Sequence, residues 1–237
     1  MNSPYGLSLA EDCLLCRLRS DEFFCALPRP SLEAFERIKH PCSYPAGAVI
    51  FLEGQPPRGV FVLCQGQAKL STTDKGRTLI LRMVKPGEVL GLSTTIVGSP
   101  YELTCATMQP CQLNFVERED FLCFLKEHGD VCLHAAQHLS HDCERTYDLI
   151  RYFGLSHFAS ERLARFLLES AVGKQASHGV VRVKLTLTRT EISQLVGLDR
   201  VTVSRTLGEF RKKKVAELDG ATLIIRNRAA LERLVAS

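Results

Sequence analysis

The sequence predicts an α+β chain in three parts: an antiparallel β-roll, a long helix, and a C-terminal winged helix-turn-helix. Three observations carry this expectation. Short runs rich in β-branched and aromatic residues fill 44–116, punctuated by Gly47, Gly54, Gly66, Gly76, Gly87, Gly91 and Gly98; many short strands with regular turn signals indicate a small roll. Residues 129–153 place Cys132, Ala136, Leu139, Cys143, Thr146, Ile150 and Phe153 at alternating spacings of four and three, the seam of a two-stranded coiled coil. Residues 187–215 read as two short helices joined by a glycine turn.

The chain has 237 residues, 45% of them hydrophobic and 24% charged, with a net charge of +4. That length suits two modest domains. The charge is uneven. Residues 155–237 hold 15 Lys and Arg against 8 Asp and Glu, a net of +7, while residues 1–154 hold 15 against 18, a net of −3. A basic C-terminal part suits a polyanionic partner. No apolar run approaches a membrane span, so no membrane association is expected. The start MNSPYGLSLAEDC lacks a basic segment followed by an apolar core, so a cytoplasmic location is expected.

Residues 1–28 form an arm carrying Cys13, Cys16 and Cys25 in the pattern C-x2-C-x8-C. Thiolates bind Zn²⁺ and iron–sulfur clusters, and closeness in sequence lowers the entropy of assembling a site. The ten cysteines all lie between Cys13 and Cys143. In an intracellular chain this favours free thiols or metal ligands over disulfides. The roll should occupy 29–128. It opens with a helix over 31–39, capped by Ser31 with Leu32, Phe35 and Ile38 on one side. Asp74-Lys75-Gly76 marks a hairpin tip. The roll has no His between His40 and His128, so a histidine-ligated metal centre is not available. No Ser/His/Asp or Cys/His constellation stands out, so the chain is not expected to be an enzyme.

The long helix should span 129–154, with His134, His138 and His141 read as solvated surface groups. Gly154–His157 reads as a hinge, and 155–237 as the DNA-binding part. Within it, Leu163, Phe166 and Leu167 face inward from a helix over 159–172, and Val180–Leu187 is a strand. Thr188 with Glu191 forms a capping box that starts the first helix of the pair. Ile192, Leu195 and Val196 give that helix its apolar face. Gly197 ends it and Asp199 caps the next. Val203, Leu207 and Phe210 should pack inward, leaving Arg200, Val201, Ser204 and Arg205 outward near the helix start. Such a face is what a helix-turn-helix inserts into a DNA major groove. Asp219-Gly220 reads as a two-residue hairpin turn, the wing, and Asn227 caps a last helix.

This order of parts, with YPAGAVIFLEGQPPRGVFVLCQGQAKL (44–70), KPGEVLGL (85–92) and LTRTEISQLVGLDRVTVSRTLGEF, resembles the CRP/FNR family of bacterial transcription regulators. The resemblance covers the chain from about residue 31 onward. It implies a cyclic-nucleotide-binding-like roll and a homodimer on double-stranded DNA, with RNA polymerase as a further partner. The DNA contacts would come from Thr188, Thr190, Arg200, Val201, Thr202, Ser204 and Arg205. Arg205 matches the family arginine that reads guanine through O6 and N7. The family commonly has glutamate where this chain has Val201, so cytosine recognition through a carboxylate is lost there and contact with a thymine methyl becomes available. The cyclic-AMP signature is missing. Leu92-Ser93 follows Gly91, Tyr101-Glu102 replaces the phosphate-binding pair, and Tyr147-Asp148 stands where the dimer helix would meet adenine. Cyclic AMP is therefore not expected as ligand.

Cys13, Cys16 and Cys25 resemble the N-terminal cysteines of FNR-type oxygen sensors, and Cys111 aligns with that type's distant fourth cysteine. Four thiolates suffice for a [4Fe–4S] cluster. Cys111 also alternates with Leu113 and Phe115, so it reads equally as a strand residue facing a core. Cys42, Cys64, Cys105, Cys123, Cys132 and Cys143 read as small buried or interface hydrophobes. Two alternatives stay open: a small-molecule or nucleotide ligand held in the roll without metal, and a roll serving a partner other than DNA.

Overall fold

A computed structural model describes residues 4–7, 12–18, 25–156, 158–176 and 179–236. His157, the last residue of the expected hinge, lies outside them. The chain divides into two compact units: Met1–Gly76 with Leu81–Arg145, and Thr146–Ser237 with Arg77–Ile80.

The first unit is the roll. After α1 (Arg29–Ile38) come β1 (His40–Tyr44), β2 (Val49–Phe51), β3 (Gly59–Gln65), β4 (Ala68–Asp74), β5 (Arg77–Val84) and β6 (Val89–Leu90). Helix α2 (Leu92–Val97), β7 (Thr104–Thr107), β8 (Cys111–Glu117) and α3 (Arg118–Glu127) follow, leading into α4 (Gly129–Leu155). Two four-stranded sheets form, ordered β1-β8-β3-β6 and β2-β7-β4-β5. Lys75 and Gly76 take positive φ at the expected β4–β5 tip.

Strand β3 organises the unit because both of its faces are covered. Side chains alternate along a strand. Phe61 and Leu63 enter a core with Phe51, Leu113 and Cys111, whereas Val60 and Val62 enter another with Phe35, Val116, Phe121 and Phe124. The second core lies beneath α1, α3 and the start of α4, whose Val131 and Ala135 are buried in it. Past Cys64 the register of β3 against β8 shifts, pairing Leu63 with Leu113 but Gln65 with Gln112. Cys64 is therefore the extra residue of a β-bulge, a device that re-aims a side chain. Gly66 follows at φ +101°, with Pro110 O only 2.5 Å from where a Cβ would sit.

Helix α1 begins two residues earlier than expected. Pro28 is its N-cap residue, and Pro30 stands in the first turn, where proline sets φ without losing a needed N–H. Ser31 is not a cap: its hydroxyl donates to Asp130 Oδ2 at 2.6 Å and so ties α1 to the start of α4.

The second unit contains the end of α4, then α5 (Ala159–Ser170), β9 (Val181–Lys184), α6 (Arg189–Val196), α7 (Arg200–Lys212), β10 (Ala216–Asp219), β11 (Thr222–Ile225) and α8 (Arg228–Ala236). Its strands pair in the order β10-β11-β9. Leu163, Leu167, Ile192, Val196, Val203, Phe210, Leu223 and Leu231 share one core. Asp219 pairs with Thr222, so the wing turn is Gly220-Ala221, one residue later than expected. Asn227 caps the last helix, its Oδ1 accepting from the Ala230 N–H at 3.0 Å.

The boundary between the units falls inside α4, at 145/146, rather than at 154/155. The early turns of α4 pack on the roll. The last turns belong with α5: the Tyr152 hydroxyl donates to Arg162 O at 2.9 Å, and Arg162 stacks over Phe153 at 5.5 Å. Helix continues through Gly154 and Leu155, where a hinge was expected to begin.

Candidate functional site

The helix pair α6–α7 is built by short-range contacts. Thr188 Oγ1 accepts from the Glu191 N–H at 3.2 Å, and Glu191 Oε2 accepts from the Thr188 N–H at 2.9 Å. This reciprocal cap satisfies donors that a helix start leaves orphaned. Gly197 ends α6 at φ +65°, and a Cβ there would come within 2.8 Å of the Phe153 ring. Gly197→Ala should therefore destabilise the C-terminal unit by about 1–3 kcal/mol, from left-handed strain with the contact added. Urea unfolding checks this; an unchanged midpoint would contradict the turn geometry.

Asp199 caps α7, accepting from the Thr202 N–H at 2.8 Å and from its hydroxyl at 2.7 Å. These hydrogen bonds, the side-chain one foremost, hold its carboxyl below the usual range. Val203, Leu207 and Phe210 are buried. Arg200, Val201, Ser204 and Arg205 are exposed, with Val201 at 77%. The four outward residues thus share one face at the N-terminal end of α7. Thr188 and Thr202 have their side chains engaged in the two caps, while Thr190 is exposed. Arg189, the first residue of α6, is also exposed. The sequence reading passed over it, although a cation beside a helix start in a basic unit signals a phosphate contact.

Helix α4 leaves Cys132, Ala136, Cys143, Thr146 and Ile150 exposed. Two members of the expected seam have other contacts. Leu139 is half-buried against the roll's helix-covered core, and Phe153 lies against Arg162 and the Gly197 turn. His138 is no solvated surface group: its side chain is 10% exposed, and its Nδ1 lies 3.4 Å from Asp142.

A cleft in the roll is lined by Phe51, Leu70, Arg82, Leu92, Glu102 and Asp142, among others. Tyr101 closes part of it. Its ring stacks on Phe51 with centroids 4.1 Å apart, and its hydroxyl donates to Gly59 O at 3.0 Å. The one arginine in the lining, Arg82, is held by Glu88 at 2.9 Å and Asp142 at 3.5 Å. Arg145 joins the same two carboxylates. A cyclic phosphate entering here would meet a cation already neutralised and the carboxylate of Glu102.

Burial pushes the Asp142 carboxyl up, but the His138 hydrogen bond and the charges of Arg82, His138 and Arg145 outweigh it. The folded pKa therefore lies below the ordinary value of about 3.9. The resulting stabilisation is complete above that value and is lost as pH falls through the lower folded pKa. Asp142→Asn should cost roughly 1 kcal/mol, as the group is partly exposed, and should flatten this acid limb. Thermal midpoints between pH 3 and 7 check both; a variant with the wild-type acid profile would contradict the network's role.

The cysteines separate by sheet face. Cys111 is fully buried in the roll core with Leu113, its Sγ donating to Gln67 O and Gln109 O at 3.3 and 3.2 Å. Cys13 lies on the other face, packed against the helix-covered core. The structure does not bring Cys111 to the N-terminal cysteines, because a strand residue reaches the opposite face only by a register slip. What lies near Cys13 is Cys64: the Asn114 amide Nδ2 is 3.6 Å from Cys13 Sγ and 3.2 Å from Cys64 Sγ. Burial pushes the Cys13 thiol up to about 12, partly offset by Lys39, and raises Cys64 further.

Among the described residues no helix is long and apolar enough to cross a membrane. A family model for the cyclic nucleotide-binding domain matches residues 41–128, and one for the Crp-like helix-turn-helix domain matches 161–234. The global nitrogen regulator of Synechocystis is 28% identical over 209 residues, covering 86% of this chain and 88% of its own. The CRP-like cAMP-activated global transcriptional regulator of Mycobacterium tuberculosis is 24% identical over 206 residues, with coverages of 86% and 91%. Among solved structures, FixK2 of Bradyrhizobium japonicum superposes with a TM-score of 0.69 at 24% identity, covering 84% of this chain and 98% of its own. The c-di-GMP responsive regulator CLP of Xanthomonas campestris gives 0.72 at 20%, covering 84% and 99%. The two structural likenesses show the fold. The order of the two matched domains, shared with regulators aligned over most of their length, supports a CRP/FNR-type DNA-binding transcription regulator with a cyclic-nucleotide-binding-like domain.

Proposed function

We propose that this protein is a homodimeric, sequence-specific DNA-binding regulator of transcription, acting with RNA polymerase. Two α7 helices would enter successive major grooves of a pseudo-palindromic site. The observation that carries this is the outward face of α7, Arg200, Val201, Ser204 and Arg205, at a capped helix start in a basic unit. Arg205 reads guanine bidentately, Val201 packs on a thymine methyl, and Arg200 and Thr190 reach phosphate or base. Mobility shifts against the protein's own promoter region, with unrelated DNA as competitor, test the reading. Competition by unrelated DNA at equal concentration would overturn it.

The signal we assign to this regulator is oxygen or redox state, read by a cysteine-ligated [4Fe–4S] cluster at the N-terminal arm. Cys13, Cys16 and Cys25 supply the sequence-local thiols, and the donor chemistry suits iron. The occupied ion network and the Tyr101 plug weigh against cyclic AMP as the signal. Iron and sulfide content of protein isolated without oxygen tests this: a colourless, iron-free protein with full DNA binding would sink it.

A further inference from the structure

We propose that Cys64, with Cys13, Cys16 and Cys25, completes a four-thiolate iron–sulfur site on the helix-covered face of the β1-β8-β3-β6 sheet, and that Cys111 takes no part. The inference rests on the cluster reading above and names its fourth ligand.

Strand parity is the first ground. Val60 and Val62 face the core that Cys13 packs against, and Cys64 follows them in the same alternation. The bulge at Cys64 then frees this residue from the regular ladder. Asn114, two residues from Val116 on the same face of β8, points its amide between the sulfurs of Cys64 and Cys13. Proximity is the second ground. The Asn114 amide bridges Cys64 to Cys13, and Cys16 and Cys25 stand three and twelve residues after Cys13 on the same arm. Cys111 is turned the other way, its thiol bonded to the Gln67 and Gln109 carbonyls within the roll core.

The third ground is the charge beside the thiols. Four thiolates on an iron–sulfur core leave net negative charge in a half-buried place, which requires a nearby cation or N–H donors. Lys39 supplies the cation. Its side chain is 2% exposed and its ammonium lies 3.1 Å from Glu36 Oε1. Glu36 Oε2 in turn accepts from the Cys13 N–H at 2.9 Å, which anchors the arm to α1. Asn114 supplies the N–H donor.

Among the described residues no three Cys, His, Asp or Glu side chains are gathered tightly enough to hold one metal ion. Zinc with Zn–S bonds of about 2.3 Å would need its sulfurs within about 4 Å of one another. A cubane carries each ligand on a different iron, so its four sulfurs stand wider apart.

The test uses full-length protein loaded anaerobically with equal ferrous and ferric iron and with sulfide. Wild type and Cys111→Ser should each hold about four iron and four sulfide per protomer, with the visible absorption of a cubane. Cys64→Ala and Cys64→Ser should hold roughly tenfold less iron, with helical content and thermal midpoint showing that they still fold. A second measurement needs no variant. Alkylation of native protein, read by mass spectrometry, should show Cys64 becoming protected on loading, with no change at Cys111. If Cys64→Ala keeps its cluster and Cys111→Ser loses it, the fourth-ligand assignment is wrong and the cluster reading stands. If wild type takes up no cluster, or one zinc instead, both fall.

Discussion

Ile150→Arg should convert the protein to a monomer and lower its affinity for a full operator by at least about 100-fold. The figure is the lower end of what linking two binding modules contributes through effective concentration. Ile150 is 62% exposed on α4, in line with the exposed Cys143 and Thr146. Covering an isoleucine of this kind is worth roughly 2 kcal/mol. In a two-fold interface the same residue appears on both sides, so the change acts twice. Two guanidinium groups would also face each other where apolar surface should close. Sedimentation equilibrium and mobility shifts read the two effects together. A dimeric Ile150→Arg with unchanged affinity would remove α4 as the dimer helix. The contacts of Leu139 and Phe153 within their own chain confine the exposed part of the seam to Cys132, Ala136, Cys143, Thr146 and Ile150.

Arg205→Ala should lose most discrimination at one base pair of each half-site, about 1–3 kcal/mol or roughly 5- to 150-fold. Binding to unrelated DNA should change far less, because the phosphate contacts come from other cations. Arg205 is exposed one turn into α7, and its neighbours Val203 and Leu207 are locked in the core, so the helix face cannot rotate to present other residues. Changes in Arg211–Lys214, all exposed, should instead weaken binding to all sequences alike and reduce its salt dependence. Titrations against a matched set of single-base variants separate the two patterns. An Arg205→Ala protein with wild-type preference would move the reading head elsewhere.

What the sequence showed clearly was what short-range chemistry decides. Thr188 with Glu191, Gly197 and Asp199 act on neighbours within a few residues, and each does in the structure what its type and spacing predict. The reading failed where a distant element decides. Ser31 has the chemistry of a cap, but Pro28 starts the helix and Asp130, 99 positions away, takes the hydroxyl. Asp142 is a local i,i+4 neighbour of His138; what nothing local shows is that Arg82, on β5, meets Asp142 and that the His138 side chain is only 10% exposed. Cys64 was passed over for a related reason. It stands at a one-residue bulge against β8, and the Asn114 amide brings it beside Cys13, 51 residues earlier in the chain. Cys111 looked suitable by alignment, yet strand parity turns it into the roll. The Gly220-Ala221 turn is a smaller case, where pairing of Asp219 with Thr222 moves the loop by one residue.

The most direct test is selection of bound sequences from random DNA, followed by the mass of the purified complex. The expected product is an inverted repeat with half-site centres about one helical turn, 10–10.5 base pairs, apart. Each half-site should contain a guanine that Arg205→Ala no longer requires, and two protomers should be bound per duplex. Recovery of no enriched sequence, or of a single half-site held by one protomer, would contradict the account.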